Sequence, residues 1–237
     1  MTFSIIAHEE RTGRVGIAVA SRFFAVGART AFIRTGVGAI ASQGLFNPYY
    51  GPRGLALLAA GASADDTARL LTSADAGRDL RQVHVMDRWG RFAAFTGAKC
   101  TSWSGHLVKP SYSVAGNVLA GPKVIEEVAA AYEKGAQTPF ARRLIAAMRA
   151  GEQAGGDKRG RQSASLLIHD DQEYSLLDVR ADDHADPLGE LERLEAIARQ
   201  SWVHFRRVLP NRHDPDGVLD DGQADARINA SRAEGYE

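Results

Sequence analysis

The order of apolar and polar stretches along the chain is the feature that most restricts its fold. Short β-prone runs come first, helical periodicities follow, and the same succession repeats before a final pair of β-prone runs. Separate blocks of strands and helices favour antiparallel sheets over alternating βαβ units. The pattern predicts an α+β fold, a four-layer α-β-β-α sandwich of antiparallel sheets with a C-terminal helical extension.

The predicted strands begin almost at the first residue. Residues 3–7 and 15–20 are apolar and flank polar residues that end in Thr12-Gly13, which is typical of a β-hairpin. Further strands are predicted within residues 29–42, 82–86, 91–96, 112–115, 163–169 and 174–179.

The predicted helices follow apolar stripes with helical spacing. Ser63 precedes two acidic residues and is the expected N-cap of the second helix, and Gly151 is the expected end of the fourth. The predicted helices cover residues 53–60, 64–71, 122–132, 139–148 and 188–209. Because residues 210–237 are polar with few apolar anchors, we expect a loose tail, and we divide the chain into domains at 1–182 and 183–237.

Composition excludes several function classes. Lys plus Arg and Asp plus Glu number 29 each, so net charge gives no reason to expect nucleic acid or an anionic membrane as a partner. Cys100 is alone, the histidines have no zinc-ligand spacing, and no apolar run has transmembrane length. With no basic leader at its start, we expect a cytoplasmic protein without cofactor or metal. We expect it to bind a small-molecule substrate, and it can form a homo-oligomer, most simply a dimer.

Thr2 is the candidate nucleophile because of its position. Removal of Met1 would expose its α-amine, and an amine with a pKa near 8 can act as the base for its own hydroxyl. The other interpretation is that Thr2 is only a small second residue. The sequence contains no Gly-x-Ser-x-Gly elbow, phosphate-binding loop or dinucleotide fingerprint that would indicate a different catalytic site.

The stretch from Gly155 to Ser163 is the second candidate. Its three glycines allow backbone N–H groups to approach a ligand, and Lys158 and Arg161 are cations that could bind an anionic group. A solvated connection before a strand has the same composition. Two single residues add to this: Asn117 either orients a site or caps a helix, and Arg22 is either a strand-end cation or a substrate contact.

Several segments together closely resemble the bacterial family named domain of unknown function 1028, over about residues 2–186. That family is classed by similarity with the N-terminal nucleophile (Ntn) hydrolases, whose fold is proteasome-like. The segments that carry the resemblance are Thr2-Phe3-Ser4-Ile5, residues 19–27, residues 50–55, residues 116–121 and residues 155–163.

The resemblance implies roles for individual positions. Thr2 matches the amino-terminal nucleophile, and Gly44 matches a backbone N–H of the oxyanion hole. Asn117 and Asp157 match groups that orient the amine, and Gly160 stands where proteasome subunits have a second serine. The chain departs from that pattern at two places.

An aspartate of the second strand is replaced by Ala20 and Ser21, and the active-site lysine has no clear counterpart. Arg22 or Arg34 could supply the missing charge, but an arginine cannot accept a proton. Proteasome-type peptidase activity is therefore not what these residues predict.

Two hypotheses follow for function. The first is an amide hydrolase that acts through Thr2, with Gly44, Asn117 and Asp157 as catalytic residues and a small amide or N-acyl compound as substrate. Its substrate-binding residues are Arg22, Lys158, Arg161 and Ser163. The second is a non-catalytic binding or assembly protein that keeps the fold. A hydrolase that uses Ser4 or Cys100 ranks last, because the sequence places no His partner beside either.

Overall fold

The computed structural model describes residues 2–235 of the 237-residue chain. Met1, whose removal the Thr2 hypothesis requires, lies outside the described residues. The chain divides into two compact units, one through Leu191 and one that begins at Glu192. Within the described part of the chain, no helix is both long and apolar enough to cross a membrane.

The first unit contains two antiparallel sheets. The larger one has six strands in the order β10-β9-β2-β1-β8-β7, and the smaller one has the order β3-β4-β5-β6. The predicted α+β class with antiparallel sheets is confirmed. The strands are β1 (Thr2–Glu9), β2 (Arg14–Ser21), β3 (Ala31–Arg34), β4 (Gly38–Gly44), β5 (Arg81–Asp87), β6 (Phe92–Thr96), β7 (Trp103–Val108), β8 (Tyr112–Leu119), β9 (Ser163–His169) and β10 (Leu177–Ala181).

Helices connect and cover the sheets. Ser63 caps one of them as predicted, because its hydroxyl accepts a hydrogen bond from the Asp66 backbone N–H at 3.0 Å. The helices are α1 (Gly27–Thr30), α2 (Tyr50–Ala59), α3 (Ala64–Ser73), α4 (Lys123–Lys134), α5 (Phe140–Gln153), α6 (Pro187–Gln200), α7 (Trp202–Phe205) and α8 (Asp221–Glu234).

The two sheets pack against each other through alternate residues of their central strands. Ile6 of β1 and Ile17 of β2 contact Ala39 and Ala41 of β4 and Met86 of β5. The residues between them project to the other face of each sheet. Because this alternation runs without interruption to the first residue of β1, Thr2 and Ser4 also face the opposing sheet.

Each outer sheet face is covered by a pair of helices. On the smaller sheet, Ile40 and Val83 pack with Leu58 of α2 and Leu71 of α3. Gly54 allows this approach, since a Cβ atom there would lie 2.2 Å from Ile40 Cδ1. On the larger sheet, helices α4 and α5 contact strands β8, β1 and β2.

Three details differ from the sequence predictions. Helix α5 does not end at Gly151 but continues to Gln153. Gly151 serves close packing instead of ending the helix, because a Cβ there would clash with Val128 of α4. The helix predicted over 188–209 ends at Gln200. Strand β7 was absent from the prediction, because its small and polar residues carry no alternating apolar pattern.

The second unit is helical and includes a helix that composition did not predict. Helix α8 lies in the tail that we expected to be loose, and its first turn is capped by Asp220, which accepts from the Gln223 N–H at 2.9 Å. His204 of α7 and Ser231 of α8 form a 2.9 Å side-chain hydrogen bond. Capping and this contact compensate for the shortage of apolar residues.

Candidate functional site

The end of the inter-sheet space where β1 begins carries a row of polar side chains. Thr2 lies opposite Asn117 of β8 on one side and opposite Ser21 of β2 on the other. Ser21 in turn lies opposite Ser163 of β9. Directly paired residues project from the same sheet face, so these side chains form one strip across four neighbouring strands. We call them the polar row; each is at most 7% exposed.

The opposing sheet presents amide side chains to the polar row. Gln43 of β4 pairs with Gln82 of β5, which pairs with Thr96 of β6. Gln43 is 2% and Gln82 is 0% exposed. Amides that lose water must find protein partners, and here the facing row provides them.

Thr2 is held through both its side chain and its backbone. Its Oγ1 lies 3.1 Å from Ser21 Oγ, and its carbonyl oxygen accepts from Gln43 Nε2 at 3.4 Å. Both partners are neutral. A hydroxyl in this setting is fixed by short contacts in a region with little access to water.

Gln82 joins the two sheets. Its Oε1 accepts from Gln43 Nε2 at 2.8 Å and from Asn117 Nδ2 at 3.1 Å. Its Nε2 donates to the backbone carbonyls of Gly105 at 3.0 Å and Gly116 at 2.9 Å. The orientation of Asn117 in the polar row therefore depends on a residue of the other sheet.

Ser4 has a histidine partner that the sequence did not place. Ser4 Oγ lies 2.9 Å from His84 Nε2 and donates to Gln43 Oε1 at 2.6 Å. Both Ser4 and His84 are 0% exposed. Burial, together with the charge of His106, lowers the pKa of His84 to about 3, although a hydrogen bond to the Ser113 backbone opposes the shift. Because the Ser4 proton is committed to Gln43, this pair is not arranged as a nucleophile and base.

Gly44 ends β4 directly after Gln43. Its φ of +83° lies in the left-handed region, and a Cβ there would lie 2.8 Å from the Leu80 carbonyl oxygen. The Leu45 N–H donates to that carbonyl at 3.0 Å. Glycine at this position allows the backbone to turn away from the sheet beside the residue that contacts Thr2.

Asp157 organises the loop before β9. Its carboxylate accepts from the backbone N–H of Arg22 at 2.9 Å and from that of Arg159 at 2.7 Å, and its side chain is 5% exposed. The Arg22 guanidinium donates to the Arg159 carbonyl. Asp157 therefore holds the backbone at Arg22, directly after Ser21, in position. None of these hydrogen bonds joins Asp157 to Thr2.

A small cavity opens beside one end of the polar row. Its volume is about 210 Å³. Ser21 and Ser163 connect it to Thr2, and the glycines of the 155–160 loop form much of its wall. The lining residues are Phe3, Ala20, Ser21, Glu152, Gly155, Gly156, Asp157, Gly160, Arg161, Ser163 and Pro187.

The cations of this wall are paired with carboxylates. Arg161 lies 3.5 Å from Glu152 and 3.4 Å from Asp186, and Arg149 binds Asp186 through both guanidinium nitrogens at 2.7 and 2.9 Å. The Arg149 hydrogen bond holds the pKa of Asp186 at about 2. Arg159 is paired with Asp157 at 3.3 Å. The charge that the sequence suggested for an anionic substrate is thus largely balanced within the protein.

Ser163 is engaged with the loop after β2. Its hydroxyl donates to the Phe23 carbonyl and accepts from the Val26 N–H at 3.1 Å. The loop includes Ala25, a non-glycine residue with φ of +53°. Ser163 is 0% exposed, so its observed contacts support the loop at the mouth of the cavity.

A larger cavity, of about 550 Å³, lies between α2 and α3. Asp75 at its edge accepts from Asn47 Nδ2 at 3.0 Å, Tyr50 OH at 3.0 Å and Arg81 Nε at 3.1 Å. The Asn47 hydrogen bond, more than the others, holds the pKa of Asp75 well below its usual range. Arg81 also donates to the Leu45 carbonyl. We assign the candidate site to the smaller cavity because the polar row reaches it.

The geometry can be set beside known proteins. The model of a family of unknown function, DUF1028, matches residues 2–191, which is most of the chain. The chain belongs to this family. The candidate site, from Thr2 to Asp186, lies within the DUF1028 match.

One solved structure agrees with membership in DUF1028, and a second is reported beside it. Protein SPO2555 from Silicibacter pomeroyi, a DUF1028 protein, is 32% identical, with a TM-score of 0.86 over 92% of this chain and 99% of that one. Anbu (ancestral beta-subunit) from Yersinia bercovieri is 13% identical, with a TM-score of 0.42 over 84% of this chain and 96% of that one. The comparison with curated proteins gives no match.

Most of the sequence-predicted site residues of this DUF1028 chain lie together. Thr2, Asn117 and Ser163 share the polar row, while Asp157 and Arg161 line the adjoining cavity. Gly44 follows Gln43, Arg22 braces the 157–160 loop, and Lys158 is exposed. Arg34 pairs with Gly38 at the far end of β4, so it does not supply a charge near Thr2.

Sequence reasoning missed the residues that connect the site across the sheets. Ser21 was noted only as a departure from the proteasome pattern, and Gln43, Gln82 and His84 were not noted. Gln82 and His84 alternate with valines in the segment 81–87, and this pattern could have found them, whereas Gln43 lies directly beside Ser42 and has no such signal. Among residues 2–235, no cluster of His, Cys, Asp and Glu has the arrangement of a metal site.

Proposed function

We propose that this chain is an N-terminal nucleophile amide hydrolase in which Thr2, freed by removal of Met1, attacks a small amide or N-acyl compound. We further propose that its sheets and helices form the four-layer sandwich of that class. The observation that carries the proposal is the polar row: a threonine hydroxyl at the start of a central strand, 3.1 Å from Ser21 Oγ and nearly excluded from solvent. The central strand and the Ser21 contact hold this hydroxyl in one place, as a nucleophile requires.

In the proposed reaction, Thr2 Oγ1 forms a bond to the substrate carbonyl carbon while the Thr2 amine takes the hydroxyl proton. The Gly44 N–H stabilises the oxyanion. The C–N bond then breaks as the amine returns its proton to the leaving nitrogen, and water hydrolyses the resulting ester. Neutral, buried surroundings favour an uncharged amine, which is the form that can act as a base.

The neighbouring residues have supporting roles in this proposal. Asn117, directly opposite Thr2, orients the amine. Asp157 acts one step away, because it holds the Arg22 backbone next to Ser21. Arg161 and Ser163, which line the cavity, are the nearer candidates for substrate contact, and Lys158 and Arg22 would meet only a substrate that extends out of it.

The cavity favours a small substrate group. A volume of about 210 Å³ corresponds to the liquid volume of about seven water molecules and is less than the sites that hold drug-sized ligands. The paired charges of its wall, Arg161 with Glu152 and Asp186, favour a polar group without a large net charge. A short polar amide fits these limits better than a polypeptide.

Intact mass spectrometry of the untagged protein, with and without a β-lactone, tests the nucleophile. Loss of one methionine and a single adduct on Thr2, absent in Thr2→Ala and retained in Thr2→Ser, would support the proposal. A retained Met1 without an adduct would refute it.

The second candidate function is a non-catalytic small-molecule-binding or assembly protein. It is favoured by a specific observation: the bonded partners of Thr2, Ser21 and Gln43, are neutral, and no carboxylate or lysine takes part in these contacts. If this function is correct, Thr2→Ala will bind any ligand found in a thermal-shift screen as tightly as the wild type does.

A further inference from the structure

The hydrogen bonds between the two sheets have a direction that can be worked out from the Gln82 side chain. Its amide group lies between two sets of partners. One set consists of the Thr96 hydroxyl at 2.8 Å and the Gly105 and Gly116 carbonyls, and the two carbonyls can only accept. Gln82 Nε2 must therefore face these carbonyls, and Gln82 Oε1 must face Gln43 and Asn117.

The orientation of Gln82 fixes that of Gln43, and Gln43 in turn fixes Ser4 as a donor. Since Gln82 Oε1 accepts, Gln43 must present Nε2 to it, and the same amino group reaches the Thr2 carbonyl. Gln43 Oε1 is left facing Ser4, whose only hydroxyl proton satisfies it at 2.6 Å. A Gln43 amide in the opposite orientation would place its Oε1 against the Thr2 carbonyl oxygen and Gln82 Oε1 without a proton between them.

The last member of the series is His84. The Ser4 hydroxyl donates its hydrogen bond to Gln43, so Ser4 Oγ must accept in its 2.9 Å contact with His84 Nε2. His84 Nε2 must therefore carry the proton. Ser113 also contacts the ring: its Oγ, 3.0 Å from Nδ1, is a hydroxyl that can donate or accept and so fits this tautomer, and its backbone favours a proton on the ring without specifying the nitrogen. The ring stays neutral because its burial disfavours the charged form.

We infer that His84 is a positioning residue for Thr2: its Nε2–H, acting through Ser4, fixes the amide of Gln43 so that the Gln43 amino group holds the Thr2 carbonyl. The inference rests on the proposed function of Thr2. The same reasoning fixes the orientation of the Asn117 amide. Its Nδ2 faces Gln82, so its Oδ1 is the atom able to accept a hydrogen bond from an amine at Thr2.

The first test does not depend on activity. Two-dimensional ¹H–¹⁵N NMR of the histidine rings at pH 7 distinguishes the two neutral tautomers and the imidazolium. We expect His84, assigned by its loss in His84→Gln, to be the Nε2–H tautomer. An Nδ1–H ring or an imidazolium would overturn the inference.

The second test measures positioning. Ser4→Ala removes the link between His84 and Gln43, and we expect the rate of Thr2 acylation by a β-lactone to fall at least tenfold while the His84 ring loses its single tautomer. The matched control is Ser165→Ala. Ser165 of β9 lies level with Ser4, two strands away in the same sheet, because both residues are aligned with Val19 of β2. It is 2% exposed, and its hydroxyl has no hydrogen-bond partner among the described residues. Its rate should equal that of the wild type.

The outcomes separate the inference from the proposed function. An adduct on the wild type with equal rates in Ser4→Ala and the wild type would leave the nucleophile in place and overturn the positioning role. The absence of any wild-type adduct would refute the proposed function and the positioning role with it, whereas the NMR result would still establish or refute the direction of the hydrogen bonds.

Discussion

His84 should make the stability of the first unit depend on pH between 7.5 and 5.0, above the ordinary pKa values of carboxylates. Burial lowers the pKa of this histidine to about 3, and the ordinary value is 6.5. In the unfolded chain the ring binds a proton below pH 6.5, whereas in the folded chain it does not until about pH 3. The folded state therefore binds fewer protons in this range, and stability is complete above pH 6.5 and falls as the pH decreases.

The expected magnitude follows from the two pKa values. At pH 5.5, one unit below the ordinary histidine pKa, protonation of the unfolded chain costs the folded state about 1.4 kcal/mol, and at pH 5.0 it costs about 2 kcal/mol. Other histidines and the acidic residues contribute as well. They contribute equally to a variant that lacks only His84, so the difference between the two proteins isolates this residue.

Urea unfolding followed by circular dichroism between pH 7.5 and 5.0 measures the effect. We expect the wild type to lose about 1.4 kcal/mol more than His84→Gln between pH 7.5 and 5.5. His213→Gln, which changes an exposed histidine, should give the wild-type curve. Parallel curves for the wild type and His84→Gln would show that His84 titrates normally in the folded protein, and the argument from burial would be wrong.

Three further predictions concern Gly44, Asp75 and Ser21. Gly44→Ala should lower the free energy of unfolding by about 1–3 kcal/mol in urea titrations, because of the positive φ and the Leu80 carbonyl; unchanged stability would contradict this. Asp75→Asn should cost about 1.5–3 kcal/mol, because the half-buried carboxylate that accepts from Arg81 loses its charge. Asp66→Asn, at an exposed ion pair, should change little. Ser21→Ala should reduce β-lactone acylation of Thr2 without loss of melting temperature; an equal rate would remove Ser21 from the site.

The sequence predicted the elements whose signals are local. The first hairpin follows from two apolar β-prone runs on either side of the Thr12-Gly13 turn, and the N-cap at Ser63 follows from the residues of a single helical turn. The same local signals placed Thr2, Asn117 and Ser163 at strand ends, and pairing then brought them into one row.

The connections across the sheets could not be predicted in this way. The contact of Gln43 with Gln82 depends on the register of β4 against β5, and the contact of Gln43 with Thr2 depends on how the two sheets pack. Residues in these pairs are about 40 positions apart, and no alternation within one segment specifies them. Strand β7 is at an edge of its sheet, where weak apolar alternation is sufficient because only one neighbour must be matched.

The central position of β1 has a consequence for synthesis on the ribosome. The β1–β2 hairpin is complete once residue 21 has emerged, but its two edges pair with β8 and β9, which end at Leu119 and His169. At ordinary elongation rates this leaves an apolar hairpin with open edges for roughly ten seconds or more. Such edges bind other strands readily, so we expect this chain to need shielding by a chaperone, or slow and dilute refolding, before Thr2 reaches its buried position.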